Sequence, residues 1–140
     1  TVDTFVHQTG AVIHYGGMKA CYRPGPDDIL MPDRERFLSD VHLHSSLLHE
    51  IGHWSGAKHR LDRDLSGRFG TNAYALEELV AELSAAFLCA DLGVAHDPRE
   101  NTAAYIENWL AVLKSDKRAI ITAAAKAQAV ADYLHEIASG

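Results

Sequence analysis

Between residues 34 and 56 the apolar positions recur at the spacing of one helix face. Val41, Leu43, Leu47, Leu48, Ile51 and Trp54 fall on one broad side, and His42, Ser45, Ser46, His49 and His53 fall on the other. The pattern predicts a helix with an apolar back and a histidine front, which suits a helix lining a cleft. Asp33 is placed as its N-cap, a break is expected near Ser39-Asp40, and Gly56 is placed to end it in a left-handed conformation. A second run, 72–92, closes at Gly93. Its main apolar face is Leu76, Leu79, Val80, Leu83, Phe87 and Ala90, and Glu77, Ser84 and Asp91 form a narrow strip suited to water. Glu78 and Glu82 share a third side with Ala75, Ala85, Ala86 and Cys89, small residues that let another helix come close.

The flanks are simpler. Residues 1–8 read as a short helix stopped at Gly10. Residues 11–15, 19–23 and 28–31 read as strands, divided by Gly16-Gly17 and Pro24-Gly25-Pro26 and closed by Pro32. The economical arrangement is an antiparallel three-stranded meander with one free edge bordering the cleft. Asp97-Pro98 opens a helix with Tyr105, Ile106, Trp109, Leu110 and Leu113 as its buried side. After a turn at Ser115-Asp116, a last helix buries Ile120, Ile121, Ala124, Val130, Tyr133 and Leu134. Residues 57–70 are a polar loop of mixed charge, read as solvated surface or as a loop facing substrate or phosphate. The predicted class is α+β, mainly helical, with a small antiparallel sheet.

The histidine front carries the chemistry. His49 and His53 stand one turn apart and can offer nitrogens to one metal ion, at roughly 2.0–2.1 Å each for zinc. Glu50 leaves the helix about 100° round from His49. It can lie beside the ion without binding it and take a proton from a water activated there. This is the His-Glu-x-x-His arrangement of zinc peptidases. A catalytic zinc needs a third protein ligand. His59 completes an extended metzincin pattern with Gly56, but that class needs a downstream methionine turn, and Met18 and Met31 both lie upstream. Glu78 and Glu82 stand one turn apart on the next helix. One can bind the ion while the other orients a ligand histidine through its second ring nitrogen. Glu78 is the favoured ligand and Glu82 its support, with reversed roles or His59 as alternatives.

Bulk properties narrow the setting. The 140 residues, 47% of them hydrophobic, fit one domain, 1–140, with a sizeable core. A net charge of −6 does not suit a nucleic-acid polycation. Cys21 and Cys89 make no disulfide framework and the N-terminus is not signal-like, so a reducing cytoplasm is expected; no apolar run is long enough to span a bilayer.

Taken together, Tyr22-Arg23-Pro24, Ile29-Leu30-Met31-Pro32, Leu48-His49-Glu50 with His53-Trp54-Ser55-Gly56, Arg60-Leu61, 77–83 and 116–120 resemble a known domain. It is the zincin-like metallopeptidase domain of ArdC-type antirestriction proteins, also found in plasmid TraC-type primases and phage polyvalent proteins. The likeness runs from about Phe5 to Leu134. It implies a zincin fold, a zinc-dependent peptidase and an antirestriction setting on a mobile element. It also implies that the chain is the C-terminal part of a longer protein whose single-stranded-DNA-binding domain precedes it.

Two functions compete. In the first, His49, His53 and Glu78 hold Zn2+, or another divalent transition metal, and Glu50 is the general base and then the acid in peptide hydrolysis. Tyr74, Arg60 or His59 stabilises the oxyanion, and the peptide adds as a strand along the free sheet edge. In the second, the metal is structural, and the domain contacts DNA or a restriction enzyme through Lys58, Arg60, Arg63 and Arg68.

Overall fold

The computed structural model describes residues 1–68, 71–97, 109–111, 114 and 116–140. Helix α1 spans Val2–Thr9 and stops at Gly10, whose φ of 83° lets its amide donate to the His7 carbonyl. Three strands follow: β1 Val12–Tyr15, β2 Cys21–Arg23 and β3 Asp28–Met31. A 3₁₀ turn over Arg34–Arg36 leads to α2, Asp40–Trp54. Two further long helices are α3, Asn72–Leu92, and α4, Ala119–Ala138.

The predicted meander is not formed. The sheet order is β1-β3-β2, with β1 parallel and β2 antiparallel to β3. Ile29 and Met31 of β3 are fully buried, whereas Val12 and Tyr15 of β1 are largely exposed. The strand able to bury both neighbours takes the middle, so the chain crosses the end of β3, where the Gly17 amide donates to the Met31 carbonyl. Strand β2 is left at an edge beside α2.

Helix α2 begins at Asp40, at the expected break, and its N-cap is Ser39 and not Asp33: the Ser39 hydroxyl accepts from the His42 amide, while Asp33 precedes the separate 3₁₀ turn. Its back is buried as expected, through Leu43, Leu47, Leu48, Ile51 and Trp54. Each such side chain is worth about 1.5–3 kcal/mol when buried. That anchorage offsets the cost of carrying His49 and Glu50 inside. The helix ends at Ser55 in a right-handed conformation, so Gly56 is not a left-handed cap. A Cβ at Gly56 would meet the Arg63 guanidinium at 2.8 Å, and that close approach accounts for the glycine.

Helix α3 lies between α2 and α4, which explains its weak amphipathicity. Its most buried residues are the small ones, Ala75, Ala81, Ser84, Ala85 and Cys89, together with Val80 and Leu88; Leu76, Leu79, Leu83 and Phe87 are half-buried and Ala90 is exposed. Helix α4 buries Ala119, Ala123, Ala127, Val130, Ala131 and Leu134, and leaves Ile120 and Ile121 outside. Of the helix expected after Asp97, Tyr105, Ile106 and Leu113 lie outside the described residues. Trp109 packs on Ala75 and Ala119, and Leu110 is half exposed. Among the described residues no helix is long and apolar enough to cross a membrane. Cys21 and Cys89 are free thiols.

Candidate metal centre

One turn of α2 brings His49 and His53 together, with their Nε2 atoms 3.2 Å apart. His49, Glu50 and His53 can each direct a ligand atom so that all lie within 4.8 Å of one another. His49 is 1% exposed and Glu50 2%. Burying imidazoles and carboxylates costs free energy unless each polar atom finds a partner.

The partners come from α3. Gly52 sits between the two histidines on α2, and a Cβ there would lie 3.3 Å from the Ala81 Cα. Without a side chain at that point, α3 comes in close. Glu78 then reaches both histidines: one oxygen is 3.1 Å from His49 Nε2 and the other 3.1 Å from His53 Nε2. Glu82 stands 3.2 Å from His49 Nδ1, and its second oxygen is 3.1 Å from His96 Nε2.

Glu77 is the residue that sequence reasoning missed. Expected on a water-facing strip, it is half-buried, its side chain 11% exposed and its carboxylate 2.7 Å from His53 Nδ1. The signal was available in the spacing. On antiparallel helices, stepping from His49 to His53 on α2 means stepping back one turn from Glu82 on α3, to Glu77 or Glu78. Ser84 of the same strip is buried, and its hydroxyl donates to the Val80 carbonyl.

Each imidazole therefore has Nδ1 against an outer carboxylate and Nε2 turned towards the other imidazole and Glu78. An Nδ1–H donated to Glu82 or Glu77 leaves Nε2 with its lone pair. Two such nitrogens and a carboxylate are the donor set of a divalent transition metal, so the residues present fit one. Without a cation the cluster resolves as ion pairs. Burial pulls the His53 pKa down, but Glu77, Glu78 and Glu50 outweigh it and push it up to about 10. His49 is raised by the same contest, through Glu78 and Glu82. Burial acts to raise the carboxylates, yet the histidines hold Glu78 well below the usual range, and His49 and His96 lower Glu82 to about 2.

The site opens into a cleft of about 710 Å³. Glu50, His53, Glu77 and Glu78 line its floor, Cys21 and Tyr22 of the β2 edge one wall, and Leu65, Gly67 and Tyr74 belong to its lining. His42 also lines it and is 3.0 Å from Asp97.

The loop 57–68 is solvated at Lys58, His59, Asp62, Asp64, Ser66 and Arg68, as its charges predict, but two of its arginines turn inward. Arg60 lies over the Trp54 ring, 3.8 Å from the centroid, and pairs with Asp27. Arg63 donates to both Glu77 oxygens, to the Ser55 hydroxyl and to the Gly52 carbonyl. Of the four cations expected as a basic patch, Lys58 and Arg68 alone are exposed. His59 is 65% exposed and rests near Asp27 and Arg60. Among the described cleft-lining residues, Tyr74 appears and Arg60 and His59 do not.

The family model for zincin-like metallopeptidases matches residues 1–126. The chain is 52% identical over 133 residues to the uncharacterized protein y4eC of Sinorhizobium fredii, covering 95% of this chain and 43% of that protein. It is 42% identical over 127 residues to the DNA primase TraC of Escherichia coli, covering 90% of this chain and 9% of that one. The Mn(II)-bound crystal structure of the antirestriction protein ArdC from plasmid R388 is similar at a TM-score of 0.88 and 43% identity, over 99% of this chain and 52% of that chain. The chain thus spans less than half the length of the curated relatives it matches.

Proposed function

Because the chain belongs to the zincin-like metallopeptidase family, we propose that it hydrolyses peptide bonds at a divalent cation held by His49, His53 and Glu78. The His₂Glu donor set favours zinc, with manganese the alternative prompted by the Mn(II)-bound relative. When bound, the ion supplies Lewis acidity, lowering the pKa of a water and polarising the scissile carbonyl. Glu50 does the proton work. Its carboxylate takes a proton from the attacking water, holds it, and delivers it to the leaving amine nitrogen. Glu82 and Glu77 keep the imidazoles in the ligating tautomer by accepting from Nδ1. The peptide lies in the cleft as an added strand along β2, whose other edge is paired with β3. Of Tyr74, Arg60 and His59, we assign the oxyanion donor to Tyr74, a choice supported by its being the one of the three in the cleft lining.

The observation that carries this reading is the meeting of two imidazole Nε2 atoms and the Glu78 carboxylate at one buried point, with Glu50 beside the cleft. The setting we propose is a cytoplasmic, ArdC-like antirestriction protein of a mobile element. Contact with single-stranded DNA falls there to a segment outside this chain.

A second reading has one observation in its favour: the relatives are named for antirestriction and DNA priming, not for proteolysis. In it the metal is structural and the domain binds DNA or a restriction enzyme. Glu50→Gln separates the two. With zinc content measured by metal analysis and cleavage by a fluorogenic peptide library, the peptidase reading expects full metal and at least a 100-fold loss of hydrolysis. Hydrolysis within tenfold of the unaltered protein would overturn it.

A further inference from the structure

We infer that Arg63 is a positioning residue for the metal centre, acting through Glu77, and that it couples metal binding to the folding of the 57–68 loop against the cleft. This rests on the metal-binding reading above and adds a regulation of that site.

The geometry runs in one unbroken line. His53 Nδ1 meets Glu77 at 2.7 Å. The same carboxylate takes two parallel bonds from Arg63, at 2.9 and 3.1 Å. Such a fork–fork pair fixes both planes, which a lysine ammonium cannot do. The Arg63 side chain is 7% exposed, and the guanidinium also donates to the Gly52 carbonyl at 2.6 Å and to the Ser55 hydroxyl at 3.1 Å. Arg63 is thus clamped to α2 on the turn that carries His53, and to α3 beside Glu78. Gly56 has no side chain, and the guanidinium fills the space a Cβ would need.

The loop itself hangs from this clamp. Its amides at Arg60, Leu61, Asp62 and Arg63 fold back onto the carbonyls of Ala57, Ser55, Ala57 and Gly56. Leu65 and Gly67, just beyond Arg63, line the cleft. Gly67 packs so closely that a Cβ would stand 2.6 Å from the Tyr74 amide. Whatever orders Glu77 therefore orders a cleft wall, and whatever orders the wall holds His53 in its ligating tautomer. Coupling of this kind is reciprocal: metal tightens the loop, and a ligand resting on the loop tightens the metal.

A double-mutant cycle on the full chain tests this, reading zinc affinity by competition with a chelator and loop protection by amide hydrogen exchange. Arg63→Ala should weaken zinc 10- to 100-fold. In a Glu77→Gln background the same change should weaken it less than twofold, because the route to His53 is already cut. Zinc should slow exchange at residues 60–63 in the unaltered chain and not in Arg63→Ala. If Arg63→Ala folds poorly by thermal unfolding, Arg63→Lys keeps the charge without the fork and should still lose at least fivefold. Equal losses in both backgrounds, or no loss from either substitution, would overturn the inference while leaving the metal site standing. No zinc binding by the unaltered chain would overturn both.

Discussion

Gly52 and Ala81 touch backbone to backbone: a methyl group added at Gly52 would sit 3.3 Å from the Ala81 Cα. That contact sets the distance between α2 and α3, and so places Glu78 against both imidazoles. Gly52→Ala gains about 1 kcal/mol of helix propensity and incurs about 1–3 kcal/mol of overpacking. The net expectation is a small loss of stability by thermal unfolding, with a roughly tenfold loss of zinc affinity as Glu78 is pushed back.

Glu78 and Glu82 differ in which ring nitrogen they face. Glu78 meets Nε2 of both histidines, whereas Glu82 meets Nδ1 of His49. Chelator competition should show Glu78→Gln losing more than about 100-fold in zinc affinity and Glu82→Gln about 10- to 100-fold. A larger loss for Glu82→Gln would exchange their roles.

Proton release is a further consequence. Without metal, His53 is raised to about 10 by Glu77, Glu78 and Glu50 acting against burial. The ion-paired cluster is therefore fully formed below the ordinary histidine pKa and fades only as pH rises towards that raised value. Zinc must displace this proton, so affinity should climb with pH through the neutral range. Calorimetry in buffers of different ionisation enthalpy should record about one to two protons released per ion at neutral pH.

Tyr22 offers a check away from the metal. Burial, then its hydrogen bond to Asp27, push the Tyr22 pKa up to about 12 from an ordinary value of 10. Its neutral form supports the fold below the unfolded value, and that support is lost between the two. An ultraviolet titration should show a late-ionising tyrosine that Tyr22→Phe removes. A spectrum unchanged by that substitution would count against the Tyr22–Asp27–Arg60 cluster.

The inward turn of the Arg60 and Arg63 side chains, each 7% exposed, bears on DNA. With Lys58 and Arg68 as the exposed members of the expected patch, about two phosphate contacts remain. Binding of this chain to single-stranded DNA should then have a log–log salt slope no steeper than about −1.4. A steep slope abolished by Lys58→Glu and Arg68→Glu would favour the DNA-binding module.

Much of this was legible in the residues. The periodicity of 41–54 and 72–92 marked α2 and α3, and the spacing of His49, Glu50 and His53 marked the candidate site. The small residues sharing a side with Glu78 and Glu82 signalled a close helix approach, although the contact itself falls on Ala81, which was not among them. What escaped were the long-range choices. Local alternation does not say that β3 lies between β1 and β2. A helical wheel puts Glu77 on a polar strip because it knows nothing of the helix opposite, or of an arginine returning from 14 residues earlier. Arg60 and Arg63 read as solvated because Asp62 and Asp64 beside them make the loop one of mixed charge; their own partners, Asp27 and Glu77, are distant in sequence.

The most direct measurement is an anomalous difference map from a crystal of the zinc-loaded chain. The account predicts one peak, bound by the Nε2 atoms of His49 and His53 and by a Glu78 oxygen, with Glu50 adjacent but not coordinating. A peak ligated by His59 or Glu82 in place of Glu78, or no peak between α2 and α3, would contradict it.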